Sequence, residues 1–274
     1  AKAYRKPYRG LTFRAPPRMA KVMRDAGFTV AVTANNHSFD QGNRGALDTL
    51  KHLAAAGMGV TGTGRTPTEA WTPYVFQKRG VKVAVLGVSV LRNYPVKQRS
   101  AFWTFVHRRK IHEELPRRIA AMRSKYDFFV LSIHFGVEYY HTIGRFDRTL
   151  IDKCVKAGVD VLIGHHPHVL RPVIHTGKAV LFFSLGNFLF DYQMKGSERS
   201  GLAQLEFVKR GNHRVIRNVK FIPLWRHWKR IPYPATGRKG RIVRRLMRRI
   251  TRRYKTGTRF VQQGEALRVL PPTK

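Results

Sequence analysis

The stretch VDVLIGHHPHVL, Val159–Leu170, decides how this sequence is read. An apolar run stops at Gly164, and three histidines follow at once, at positions 165, 166 and 168. A short apolar run bounded by glycine and polar residues reads as a buried strand. In extended backbone an H-x-H would point its rings to opposite faces. A turn beyond the strand end, stiffened by Pro167, can instead make His166 and His168 converge.

Three further polar clusters follow strand-like runs. ANNHSFDQG (34–42) follows FTVAVT, HFGVEYYH (134–141) ends DFFVLSI, and SLGNFLFD (184–191) ends AVLFF. Helical patterns lie between the strands: PPRMAKVMRDAG, GALDTLKHLAAAG, RRKIHEELPRRIAAMRSK and RFDRTLIDKCVKAG. Gly27 and Gly57 are stop signals for the first two, and Pro116 is expected to break or kink the third. Alternation of this kind predicts an α/β layered fold with a mainly parallel sheet. AVLFFSLGN, LAQLEFV and NVKFIPLW crowd together without a helix between them, which predicts an antiparallel extension or a second sheet. In open α/β sheets, ligand sites form beyond the carboxyl ends of strands. Four such ends are therefore expected to deliver their side chains to one place.

The clustered donors are Asn36, His37, His134, His166 and His168. Imidazoles with amide and carboxylate oxygens, and no thiolate, suit Zn, Mn or Fe. The plain alternative for any one histidine is a satisfied, half-buried imidazole, and that reading is preferred for His141, His175, His213 and His227. Cys154 is the single cysteine, so the chain closes no internal disulfide, and its semi-apolar helical setting reads as packing.

Charge is the strongest compositional feature. The 274 residues carry 53 Lys and Arg against 15 Asp and Glu, a net charge of +38, so polyanions are drawn to the surface whatever the fold. No acidic residue occurs between Glu206 and Glu265. Within that span GRKGRIVRRLMRRITRRYK spaces its apolar residues as an amphipathic helix with a cationic face. Residues 241–254 could lie on an anionic membrane or grip a polymer, or dock on their own domain with a solvated basic face. HWKRIPYPATGRKG before it reads as a linker. The expected organisation is one domain over 1–230 and a basic linker with amphipathic helix over 231–274. No run is long and apolar enough to span a membrane, and the first residues lack a signal-type apolar segment.

AGFTVAVTANNHSFDQGNRGALDTLKHLAAAGMGVTGTGR, LSIHFGVEY and AGVDVLIGHHPHVLRPV followed by FFSLGNFLFD resemble the poly-γ-glutamate capsule-synthesis (CapA-type) family of the calcineurin-like metallophosphoesterase superfamily. The likeness runs from about Thr12 to Asp191. It implies a four-layer α/β/β/α sandwich, one or two divalent metal ions (Mn, Zn or Fe) at the strand ends, and work on the extracytoplasmic face of the cell envelope. It implies Asn36, His134 and His166 as ligands of one metal and His168 as a ligand of the other. It implies His37 as a histidine near the scissile bond, either supporting the metal ligands or acting as general acid. Asp40 would orient that imidazole. His165, Glu138 and Asn187 are expected in substrate-binding or supporting roles. The family's opening strand carries a GD pair, followed by an NxE-type motif. No GD pair occurs in this sequence, so the chain is expected to lack that strand.

Two functions follow from these readings. One is a metal-dependent hydrolase or transferase acting on an anionic polymer or phosphoester. The other is a non-catalytic polyanion-binding subunit of a capsule polymer machine, with poly-γ-glutamate as the expected polymer. Specific nucleic-acid binding is not expected, because no recognition module accompanies the charge.

Overall fold

The apolar runs become strands and the 3.6-residue patterns become helices, in the order the alternation predicts. The computed structural model describes residues 11–93, 100–190, 194–227 and 231–273. Its elements are α1 (Met19–Asp25), β1 (Val30–Val32), α2 (Gly42–Ala55), β2 (Gly59–Thr61), β3 (Thr63–Gly64), α3 (Pro67–Trp71), β4 (Tyr74–Lys78), β5 (Val81–Ser89), β6 (Phe102–Trp103), α4 (Ile111–Arg123) and β7 (Phe128–His134). There follow α5 (Arg145–Lys156), β8 (Val161–His165), β9 (Val173–His175), β10 (Val180–Phe182), β11 (Arg199–Arg210), β12 (His213–Arg226), β13 (Pro232–Pro234), α6 (Gly237–Arg252), β14 (Arg259–Gln263) and β15 (Ala266–Leu270). The first ten residues, Asp191 and the Trp228–Arg230 part of the expected linker lie outside the described residues.

The chain divides into two compact units. The first comprises Ala1–Phe76, Ala84–Leu115 and Leu131–His134, in their described parts. Here β1 and β2 pair in parallel, and β3 pairs with β6 in antiparallel fashion. Ala20 of α1 packs with Leu53 and Met58 at the end of α2. Ala46, near the start of α2, packs with Phe39, Ala101 and Trp103. The buried Phe39 thereby anchors the segment that carries Asn36, His37 and Asp40.

The second unit comprises Gln77–Val83, Pro116–Val130 and the described part of Phe135–Lys274. A six-stranded sheet has the order β4-β5-β7-β8-β10-β9, to which β4, β5 and β7 contribute the ends that lie in this unit. Strand β10 is parallel to β8 and antiparallel to β9. The first six residues of β7 are all buried, as expected of a strand covered on both faces. The late strands form the second sheet, of order β11-β12-β15-β14, with antiparallel pairing throughout. Its Phe221 and Leu267 meet Val173 and Phe182 of the first sheet in one core, and α6 adds Val243, Met247 and Ile250. The chain is thus an α/β sandwich.

One local expectation changes, and one open alternative is decided. Helix α4 runs through Pro116 instead of breaking there. Ile111, Leu115 and Ile119 are fully buried, and that packing outweighs the one backbone bond the proline removes. The apolar face of α6 is spent inside the second unit, so the helix presents mainly arginine outward.

Cys154 is fully buried, and burial pushes its thiol up to about 12. Folded protein should leave Ellman's reagent unconsumed at mildly alkaline pH and react fully in denaturant. A fast native reaction would contradict this packing.

Candidate functional site

In the first unit the turn after β1 is fixed by its own side chains. Asn35 Oδ1 accepts the His37 N–H at 2.8 Å, and Ser38 Oγ accepts the Asn35 N–H at 2.8 Å. Asn36 and His37 leave this turn with restricted direction. The His37 Nδ1–H donates to Asp40 Oδ2 at 2.7 Å, and the same oxygen accepts the Phe13 N–H at 2.7 Å. Asp40 is almost fully buried, so the carboxylate is held where it can orient the ring. With Nδ1 donating, Nε2 is the lone-pair nitrogen. Phe13 packs edge-on against the His37 ring, with centroids 4.5 Å apart. His134, at the end of β7, donates from Nε2 to Asn36 Oδ1 at 2.9 Å, and Asn36 Nδ2 donates to Asn93 Oδ1 at 2.7 Å. The two expected ligands of this unit therefore satisfy each other here, and a bound ion would replace that bond.

In the second unit the turn after β8 has unusual backbone. His166 has φ +96° and His168 φ +59°, the left-handed region that costs a non-glycine residue of order 1–3 kcal/mol. Such a conformation persists only where its surroundings over-determine it. Gly164 permits the close approach behind it, because a Cβ there would lie 2.2 Å from the Phe183 carbonyl oxygen. The outcome is the convergence expected of a turn: the His166 and His168 rings are 6.1 Å apart.

His168 is the better held of the two. Its Nδ1–H donates to Asn187 Oδ1 at 2.8 Å, which gives the buried Asn187 a supporting role and leaves Nε2 with the lone pair. Its ring lies between Tyr139, 5.7 Å away and nearly parallel, and Phe190, 4.6 Å away. Glu138 Oε1 faces both rings, 3.9 Å from His166 Nε2 and 4.0 Å from His168 Nε2. Those separations exceed a hydrogen bond. They leave room for an ion with bonds of ~2.0–2.1 Å on either side, and the donor chemistry fits a borderline divalent metal. Among the described residues no group of three or more His, Cys, Asp or Glu side chains is already drawn in to metal-holding distance. His165 closes β8 with an exposed residue surface, and its carbonyl accepts the Phe135 N–H at 3.1 Å. His141 and His175 have satisfied nitrogens, as preferred: one donates to the Leu170 carbonyl and the other accepts the Gly177 N–H.

Four residues escaped the sequence reading. Asn35 shapes its turn. Asn93 contacts Asn36 and lies with Nδ2 3.5 Å from His37 Nε2; it follows β5 by four residues, so its signal was a fifth polar strand end. Arg171 and Arg226 are essentially fully buried, among charges that composition would place outside. Arg171 donates to the carbonyls of Tyr140 at 3.0 Å and Val137 at 3.0 Å, and its Nη1 approaches Asp147 at 3.5 Å. It thus ties down both sides of Glu138. Burial lowers the guanidinium pKa from its ordinary value, and Asp147 opposes that shift. Gly136, at φ +96°, is required there, since a Cβ would meet Arg171 Nη1 at 2.3 Å. Arg226 donates to the Phe190 carbonyl at 2.6 Å and to Ser197 Oγ at 3.1 Å, fixing the loop that carries Asn187.

Residues 2–192 match the family of bacterial capsule synthesis proteins, PGA_cap. The chain belongs to the PGA_cap family. It is 30% identical over 221 residues to the PGA biosynthesis protein CapA of Bacillus subtilis (strain 168), covering 78% of this chain and 56% of that one. It is 29% identical over 213 residues to the capsule biosynthesis protein CapA of Bacillus anthracis, covering 77% and 52%. This PGA_cap chain therefore spans about half the length of the curated relatives it matches. Among solved structures it is similar to the sulfate thiohydrolase SoxB of Thermus thermophilus in complex with glycerol, with a TM-score of 0.48, 12% identity, and coverage of 89% of this chain and 40% of that one.

Replacing Arg171 or Arg226 by Ala should cost about 3–5 kcal/mol in urea unfolding, because carbonyls and Asp147 lose a buried partner. A cost near zero would mean that these arginines do not tie down the loops.

Proposed function

We propose that the chain serves capsule polymer synthesis in the cell envelope as a divalent-metal hydrolase or transferase acting on an anionic polymer or phosphoester. The observation that carries this reading is the strained His166–His168 turn facing Glu138. Two left-handed histidines are costly to maintain, and ligation is a use that repays the conformation. His166, His168 and Glu138 would hold Mn, Zn or Fe in the second unit, and Asn36 and His134 would be ligands in the first. When bound, the metal supplies Lewis acidity toward a phosphoryl or acyl oxygen. The protein's own part is to fix donors and move protons. Asn187 keeps His168 in the tautomer with a free Nε2. Asp40 does the same for His37, whose Nε2 edge can exchange a proton with a leaving group. The relatives' names, PGA biosynthesis protein and capsule biosynthesis protein, support the choice of polymer.

A second reading, a polyanion-binding subunit without catalysis, is favoured by the unpaired arginines of α6. Melting with added Mn²⁺ or Zn²⁺ separates the two. Saturating metal should raise the wild-type midpoint by about 5 °C, as a ligand at a hundred times its Kd does for a domain of this size. The His166→Ala/His168→Ala variant should lose most of that rise. A wild type indifferent to both metals, or an active protein free of metal, would contradict the metal reading.

A further inference from the structure

We propose that the cleft between the last turns of α6 and strand β14 is a second binding site, one that holds consecutive carboxylates of an anionic polypeptide. This inference rests on the reading that the chain handles such a polymer. It concerns residues beyond 192, where the family match ends.

The cleft has a volume of about 590 Å³ and is lined by Arg245, Arg248, Arg249, Arg252, Lys255 and Arg259, with no acidic residue among its walls. That volume lies within the ~300–1,000 Å³ of ordinary ligand sites. The helix treats its arginines in two ways. Arg244 points inward, is buried, and is paired with Glu265. Arg245, Arg248, Arg249 and Arg252 fall at i, i+3, i+4 and i+7 on one face, and none of their side chains makes a hydrogen bond or ion pair with another described residue. Like charges at that spacing repel. The helix dipole favours cations in the last turn alone, which leaves Arg245 and Arg248 without that support.

The form of the site selects the ligand. Planar guanidinium forks match carboxylates two bonds at a time. The apolar face of α6 is already buried, so the helix has no free face to dip into a bilayer, and a concave cleft suits an extended chain better than a flat headgroup surface. Single-stranded nucleic acid is usually held on aromatic platforms. Here the lining includes one ring, that of Phe260.

The test uses the full chain and fluorescein-labelled poly-γ-glutamate, followed by anisotropy at physiological ionic strength. Arg245→Glu/Arg252→Glu should weaken binding by about a hundredfold or more, since two charge-assisted contacts are lost together. A charge-matched control, Arg210→Glu/Arg217→Glu on β11 and β12, should weaken it by less than about threefold, as expected of screened exposed charge. Circular dichroism checks folding, and Arg245→Gln/Arg252→Gln gives the same comparison if charge reversal unfolds the helix. Equal losses in the cleft and control variants would overturn the site. So would loss of binding to phosphatidylglycerol vesicles or single-stranded DNA with polyglutamate binding intact. A wild type that fails to bind polyglutamate at all would overturn the polymer reading itself, a result distinct from either of these.

Discussion

Two buried arginines hold the second unit's site in shape. Arg171 bonds the carbonyls on either side of Glu138, and Arg226 bonds the carbonyl of Phe190 beside the ring of His168. A guanidinium cannot shed its charge at ordinary pH. Once buried, it needs acceptors, and here the main ones are carbonyls of the loops carrying Glu138, Asn187 and Phe190. The loops are therefore fixed by the same contacts that make burial of the arginines tolerable. Asn187 then sets the His168 tautomer, and the left-handed turn brings His166 alongside.

The first unit reaches a similar end with smaller means. A buried carboxylate, Asp40, orients His37, and side-chain turns at Asn35 and Ser38 fix the direction of the segment. Each unit thus places an imidazole whose Nδ1 is occupied and whose Nε2 keeps its lone pair. That arrangement suits either ligation or proton transfer, and the neighbours decide between them. Glu138 stands across from His168, whereas Asn93 and Phe13 border His37.

Much of this was legible in the sequence. Apolar runs ending in Gly or polar clusters located β1, β5, β7, β8 and β10, and the crowding of late strands pointed to an antiparallel extension or a second sheet; β11 and β12 form the second sheet, while β10 joins the first beside β8. The turn chemistry of GHHPH foretold that His166 and His168 would converge. Long-range burial was not legible. Arg171 and Arg226 look like any of the 53 basic residues, and no local pattern marks a guanidinium for the interior. Pro116 reads as a helix breaker until the burial of Leu115 and Ile119 is known. The α6 pattern gave its apolar face correctly but not what covers it, since Phe221 and Leu267 are distant in sequence or follow the helix.

The central claim is that the left-handed His166–His168 turn is held for ligation. Anomalous diffraction from crystals of the chain soaked in Mn²⁺ or Zn²⁺ tests it most directly. An anomalous peak is expected within bonding distance of the His166 and His168 imidazoles, with Glu138 drawn toward it. A metal bound elsewhere, with both rings left uncoordinated in an unchanged turn, would contradict it.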